Sequence, residues 1–160
     1  MLPDKASGTL TFLFTDLEGS TRLWERFPQA MKRALERHDS ILRTAVTAAG
    51  GQVVKTTGDG LMAVFGSAAE AVRACLAAQR GLVEEPWPET GVLRVRMGLH
   101  SGEAQPRGED YFGPAVIRGA RIMAVGHGGQ VLLSGASAAL VADQLPEGAS
   151  LMDLGAHRLK

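Results

Sequence analysis

Two aspartates stand where a simple strand pairing would turn them towards each other. Asp16 follows the β-branched and aromatic run Thr9 to Phe14 (TLTFLF), and Asp59 sits at the tip of the turn Thr57-Gly58-Asp59-Gly60. If the hairpin carrying Asp59 pairs beside the strand ending at Asp16, the carboxylates converge. Paired hard oxygen donors suit divalent cations bound together with phosphate oxygens. Each residue alone has an ordinary explanation, since Asp is a common turn former and Asp at a strand end often caps the next helix. The pair is the informative feature. Directly after Asp16, Leu17-Glu18-Gly19-Ser20-Thr21 opens a predicted helix, where free backbone N–H groups and two hydroxyls could face a polyphosphate. The histidines His38, His100 and His127 have no second His, Cys or acid at a metal-ligand spacing and read as structural or surface groups.

The elements that must position these residues follow from hydrophobic periodicity. Thr9 to Phe14 reads as a buried strand. Leu23, Trp24, Phe27, Met31, Leu35, Ile41, Leu42 and Val46 recur near helical spacing, with Pro28 placed to open the longer segment and Gly50-Gly51 to stop it. The stripe Trp24, Phe27, Met31 reads as core or as a contact between subunits. Gln52 to Thr56 and Leu61 to Phe65 are short strands joined by the tight turn. Ala68 to Leu82 is alanine-rich and helical, Val92 to Leu99 alternates like a half-buried strand, and Gly102 to Phe112 forms a second arm or loop containing Pro106. Pro114 to Val125 is predicted helical and Gln130 to Ser134 a strand; Ala136 to Lys160 reads as a short helix followed by a strand. This order predicts an α+β sandwich, a mostly antiparallel sheet flanked by helices.

A chain of 160 residues with 45% hydrophobic content is one compact domain with room for a core. Lys plus Arg and Asp plus Glu both number 17, so no global basic field gathers nucleic acid, and phosphate recognition has to be local. The single cysteine, Cys75, lies in an apolar helical stretch, which excludes an intrachain disulfide and suits a reducing cytoplasm. No apolar run approaches the roughly 20 residues that span a bilayer, and the N-terminus lacks a signal-peptide pattern, so a soluble, cytoplasmic segment with no membrane contact is expected. The chain stops at His157-Arg158-Leu159-Lys160 without a turn or polar tail, as a fragment of a longer multidomain protein would.

The segments FLFTDLEGSTRLWE, VVKTTGDGLMAVF, VRMGLHSGE and GEDYFGPAVIRGARI closely resemble four successive blocks of class III adenylyl and guanylyl cyclase catalytic domains. They occur in that family's order and spacing; the four segments run from Phe12 to Ile122, and the resemblance extends from Thr9 to Ser134. The resemblance implies a ferredoxin-like βαββαβ core and two divalent metal ions, Mg or Mn, held by Asp16, Asp59 and the backbone carbonyl of Leu17. Two metals about 4 Å apart would activate the ribose 3′-hydroxyl and neutralise the pyrophosphate. It also implies that Ser20 and Thr21 hold the terminal phosphate, that Lys55 and Asp110 read the purine, and that Arg121 supports the transferring phosphoryl group. Lys160 matches a late-strand lysine that touches phosphates. A lysine donor beside a carboxylate acceptor suits adenine N1 and its 6-amino group, so ATP is expected over GTP. Outside the family context, Lys55 reads as a solvated strand lysine, Asp110 as a loop acid, and Arg118 and Arg107 as surface groups.

The chain departs from the family at Ile117, where an asparagine usually orients the ribose. Losing one transition-state donor typically costs about 10²–10³ in rate, which predicts slow turnover with ATP binding retained. Gly119 stands where alanine is common, a change worth up to about 1 kcal/mol of helix propensity. In the family the metal carboxylates come from one subunit and the purine-reading and transition-state residues from the other. A head-to-tail homodimer with two equivalent sites is therefore expected. The rival reading is a degenerate cyclase domain that holds a nucleotide as a regulatory signal. RNA binding on a related sheet is disfavoured, since only 5% of residues are aromatic and no basic-aromatic strand motif is present. A diguanylate cyclase is disfavoured too, because the turn is Thr57-Gly58-Asp59-Gly60 and not a Gly-Gly-acidic-acidic-Phe hairpin.

Overall fold

The computed structural model describes residues 8–159. Strand β1 (Leu10–Leu17) is buried throughout except at half-buried Asp16. A short helix α1 (Ser20–Arg26) breaks at Phe27, whose φ of −133° and ψ of 61° leave the helical region, before α2 (Pro28–Ala48) begins. The break is steric, because the proline ring disfavours an α conformation in the residue before it and suits the first helical position. Ala30, Met31, Ala34, His38, Ile41, Leu42, Ala45 and Val46 form the buried stripe of α2 at three- and four-residue intervals. Strands β2 (Gln52–Thr57) and β3 (Gly60–Phe65) form the expected hairpin. Helix α3 (Ala68–Glu84) starts at Ser67, whose Oγ accepts from the Glu70 N–H at 3.1 Å. Then come β4 (Val95–Gly102), β5 (Gln105–Arg107), β6 (Asp110–Phe112), α4 (Pro114–Ala124), β7 (Val131–Leu133) and α5 (Gly135–Val141).

The main sheet has the order β2-β3-β1-β4-β7, antiparallel between all neighbours except the parallel pair β4 and β7. Strand β3 lies between β1 and β2, the split βαβ arrangement of a ferredoxin-like core, as the sequence led one to expect. Because side chains alternate across a strand, the sheet has two covered faces. Leu13, Leu61, Ala63, Phe65, Met97 and Leu99 pack with Met31, Leu42 and Val46 of α2 and with Val72, Cys75 and Leu82 of α3. On the other face Phe12, Phe14, Met62 and Val64 meet Tyr111 and Ala115, with Phe12 and Tyr111 in an edge-to-face contact at 5.5 Å. Among the described residues no helix is long and apolar enough to cross a membrane.

Three local expectations change. The strand predicted over Val92 to Leu99 begins at Val95 and runs to Gly102, and it does not alternate. It is buried on both sides because it lies between β1 and β7 with helices over both faces. The arm from Gly102 to Phe112 is a separate two-stranded sheet, β5 with β6. The strand predicted after α5 is absent, since residues 142–159 form neither helix nor strand. There Leu151, Met152 and Leu154 are exposed, having no face to cover, and Pro146 lacks a ladder donor.

Helix α4 sits directly on the sheet because two glycines remove the side chains that would hold it off. A Cβ on Gly98 of β4 would lie 2.5 Å from the Met123 backbone nitrogen, and one on Gly119 of α4 would lie 2.8 Å from the Phe14 ring. In this chain Gly119 therefore allows a close contact between α4 and the Phe14 ring, which offsets the lost helix propensity anticipated from sequence. Gly98→Ala should lift α4 from the sheet at a cost of about 1–3 kcal/mol. For a domain of this size that lowers Tm by up to roughly 10 °C, measurable by thermal unfolding monitored by circular dichroism.

Candidate active site

Asp16 lies near the C-terminal end of β1, on the sheet face that carries Phe12 and Phe14. Strand β3 runs alongside with Thr15 opposite Leu61, and Thr15 Oγ1 accepts from the Leu61 N–H at 3.0 Å. The hairpin presses so closely on β1 that a Cβ on Gly60 would lie 1.9 Å from the Thr15 carbonyl oxygen and 3.1 Å from Asp16 Cα. Gly58, at φ +65°, takes the left-handed conformation that the turn requires. Asp59, between these glycines, is thereby delivered to the Asp16 end of β1. Leu17 ends the strand opposite Val95. The Glu18 N–H donates to the Arg94 carbonyl at 2.8 Å, while Glu18 Oε2 accepts from the Gly128 N–H at 2.5 Å. Gly19 then turns at φ 70° into α1, which starts at Ser20. The hydroxyls of Ser20 and Thr21 make no hydrogen bond among the described residues, so they and the first-turn amides are open to a ligand.

The sequence reading did not single out Arg96 or Glu18. Arg96 lies directly opposite Asp16 in the β1–β4 pair. Its Nε donates to Asp16 Oδ1 at 2.6 Å and its Nη2 to Asp16 Oδ2 at 2.5 Å, a two-pronged ion pair. Its Nη1 reaches the Ala124 carbonyl at the end of α4 at 3.4 Å. The hydrogen bonds it donates to Asp16 hold the guanidinium above the ordinary arginine range; burial opposes this, and the charges of Asp16, Glu18 and Asp59 add to it. The signal was present in the sequence, since Arg96 is the one charged residue in the strand VRMGLHSG, but it required the register to interpret.

Lys55 and Asp110 are brought together. Strand β2 carries Lys55 just past a bulge, and Asp110 opens β6, so that Lys55 Nζ donates to Asp110 Oδ2 at 2.9 Å. Lys55, followed by the Tyr111 N–H on Oδ1 at 2.7 Å, holds the Asp110 carboxyl below its usual range. Both side chains are nearly half exposed, at 46% and 45%, so the pair is accessible. No hydrogen bond or ion pair links it to Asp16 or Asp59 among the described residues. Ile117 and Arg121 are one turn apart on α4, and both face solvent, Ile117 at 54%. Arg118 and Arg107 are also exposed, Arg107 lying over the Phe112 ring at 5.3 Å. Lys160 lies outside the described residues.

Of the histidines, His38 and His100 have side-chain partners within the fold. His38 is buried in α2 with Nδ1 2.8 Å from Asp39 Oδ1, and His127 is exposed in a turn closed by Gln130. His100 Nδ1 lies 2.7 Å from Ser134 Oγ; burial, followed by the charge of Arg118, lowers its pKa. Of the apolar stripe, Met31 is core, Trp24 packs against the core, and Phe27 lies under the Arg26 guanidinium at 5.5 Å.

The chemistry open to this arrangement follows from its donors. Both Asp16 oxygens already bind a cation, the Arg96 guanidinium, and the second acid, Asp59, lies at the adjoining turn. Carboxylate and carbonyl oxygens fit hard divalent ions. Among the described residues no cluster of three or more His, Cys, Asp or Glu exists, so ions at this site would complete their coordination with backbone carbonyl, phosphate or water oxygens.

Known proteins resemble this chain in sequence and in fold. The model of the adenylate and guanylate cyclase catalytic domain matches residues 2–155. An uncharacterised protein of Mycobacterium tuberculosis is 40% identical over 156 residues, covering 96% of this chain and 52% of its own length. The chain thus spans about half the length of that relative. The adenylate cyclase of Lachancea kluyveri is 37% identical over 153 residues, covering 80% of this chain and 8% of that protein. A solved adenylate cyclase structure from Trypanosoma brucei superposes with a TM-score of 0.87 at 26% identity, covering 99% of this chain and 87% of that one. With a matched model over nearly all of its length and the sheet order, hairpin and α4 packing described above, the chain belongs to the adenylate and guanylate cyclase catalytic domain family.

Proposed function

We propose that this domain converts ATP to 3′,5′-cyclic AMP and pyrophosphate at the interface of a head-to-tail homodimer in the cytoplasm. The observation that carries the reading is the convergence of Asp16 and the Asp59 hairpin around a position that already attracts a cation. Asp16, Asp59 and the Leu17 carbonyl would hold two divalent ions, Mg or Mn, which when bound acidify the ribose 3′-hydroxyl and screen the pyrophosphate. The 3′-oxygen loses its proton and forms a bond to the α-phosphorus as the bond to pyrophosphate breaks. Ser20, Thr21 and the amides that open α1 take the terminal phosphate. Arg121, exposed and unpaired among the described residues, is free to reach the transferring phosphoryl group of a nucleotide held mainly by the partner protomer.

Adenine specificity is assigned to the Lys55–Asp110 pair, because an ammonium donor 2.9 Å from a carboxylate acceptor complements adenine N1 and the 6-amino group. Lys55, Ile117 and Arg121 are exposed and Asp16, Asp59 and Asp110 are partly exposed, so these side chains are accessible to a second copy. A second reading, a nucleotide-binding regulatory domain with little turnover, is favoured by Ile117 alone, since isoleucine cannot donate a hydrogen bond to the ribose.

Asp16→Ala and Asp59→Ala should each reduce cyclic AMP formation below detection. Mixing Asp16→Ala with Arg121→Ala chains should restore roughly a quarter of wild-type activity, from one intact site in the half of dimers that are mixed. Absence of recovery in verified heterodimers would remove the shared-site model. Exchanging Lys55 and Asp110 for residues with guanine-compatible hydrogen bonding should erode ATP preference with little change in Tm, because both side chains are exposed; an unchanged ATP-to-GTP ratio of kcat/KM would refute the assignment. Since Ile117 faces solvent, Ile117→Asn should fold normally and raise kcat at least about tenfold with little change in KM. A folded, dimeric Ile117→Asn protein with no gain would favour the regulatory reading.

A further inference from the structure

We infer that Arg96 is the resting counter-ion of Asp16 and sets the metal affinity of the site, its guanidinium occupying the carboxylate until a divalent ion displaces it. The inference rests on the reading of Asp16 as a metal ligand and adds a competitor built into the same strand pair.

Arg96 and Asp16 are held face to face by the β1–β4 register, so their encounter is set by the backbone and not by chance contact of two long side chains. Both carboxylate oxygens accept, at 2.6 and 2.5 Å, which uses two of the roughly four lone-pair positions of the group. A guanidinium so placed repels an incoming divalent ion as well as blocking it. The pair is only partly solvated, at 28% and 25% exposure, which strengthens it above an ordinary surface ion pair while leaving water access for exchange. Other acids do not relieve the competition. Glu18 is committed to the Gly128 amide, and Asp59 acts on Arg96 through its field without a hydrogen bond. When Arg96 leaves Asp16, its side chain retains a second anchor in the Ala124 carbonyl, at the negative end of the α4 dipole. The exchange therefore needs only a small swing of the side chain.

The test measures Mn²⁺ binding without nucleotide, from the electron paramagnetic resonance signal of free Mn²⁺ titrated with purified domain. Arg96→Gln should tighten Mn²⁺ binding by roughly tenfold, the scale of one charge-assisted, two-pronged contact removed. Arg94→Gln removes the same charge from an exposed neighbour without that contact and should shift affinity by less than about threefold. Arg96→Lys, which keeps the cation but loses the fork, should fall between wild type and Arg96→Gln. Equal shifts in Arg96→Gln and Arg94→Gln, or no gain in Arg96→Gln, would overturn the inference. Thermal unfolding verifies each variant; if Arg96→Gln fails to fold, Arg96→Lys decides, a tightening supporting the inference and unchanged affinity overturning it. Adding Asp16→Asn to Arg96→Gln should abolish the gain. Its persistence would place the ion elsewhere and remove both the inference and the metal-ligand reading, whereas Mn²⁺ tightening without any cyclic AMP production would remove only the proposed reaction.

Discussion

The site depends on the double pairing of β1, with β3 on one side and β4 on the other. From β3 comes the turn that carries Asp59, and from β4 comes Arg96, so a single strand end collects two acids and a base. A one-residue slip in either ladder would point the opposing side chain to the other face, into the core under α2 and α3. The register is secured from both sides by apolar burial: Phe12 and Phe14 fit beneath α4 and the β5–β6 sheet, and Leu13 fits beneath α3. Residues that never touch a substrate thus determine where the carboxylates stand.

A buried hydroxyl chain adds to this. Thr11 Oγ1 and Ser101 Oγ are 2.8 Å apart across β1 and β4, and Ser101 Oγ is 2.7 Å from Ser137 Oγ of α5. Next to it, the Ser134 hydroxyl accepts from the Ser137 N–H at 3.2 Å and meets His100 of β4. Each polar group is satisfied by another element, so the start of α5 is tied to the sheet without an unpaired buried donor at this junction. Among the described residues the exception in the interior is His38, whose Nε2 has no partner there.

Much of this was legible in the sequence, for identifiable reasons. The pattern TLTFLF, the Gly-Asp-Gly turn and Pro28 act locally, through alternation, left-handed backbone and a missing N–H, and local rules recover them. The convergence of Lys55 with Asp110 was legible only through the family resemblance, since no local rule joins β2 to β6. Two features escaped because they depend on neighbours. The strand β4 does not alternate because β7 and two helices cover it, and Arg96 looks like a surface arginine until the register places it against Asp16. Gly119 looked like a weak point in a helix and is a close contact with Phe14. The segment after α5 shows the opposite error, where apolar residues suggested a strand that has no sheet face to join.

Cys75 has a practical consequence. It is fully buried in α3, and burial pushes its thiol up to about 12. The attacking species in alkylation and in disulfide exchange is the thiolate, which at neutral pH is all but absent at such a group and shielded from reagents as well. Since Cys75 is the single cysteine of the chain, the folded domain is expected to react very slowly with maleimides. A cysteine introduced at an exposed position of α1 or of the β5–β6 sheet would then carry a spin label or fluorophore with little background labelling, and distances between two such labels could be read in the native sequence context.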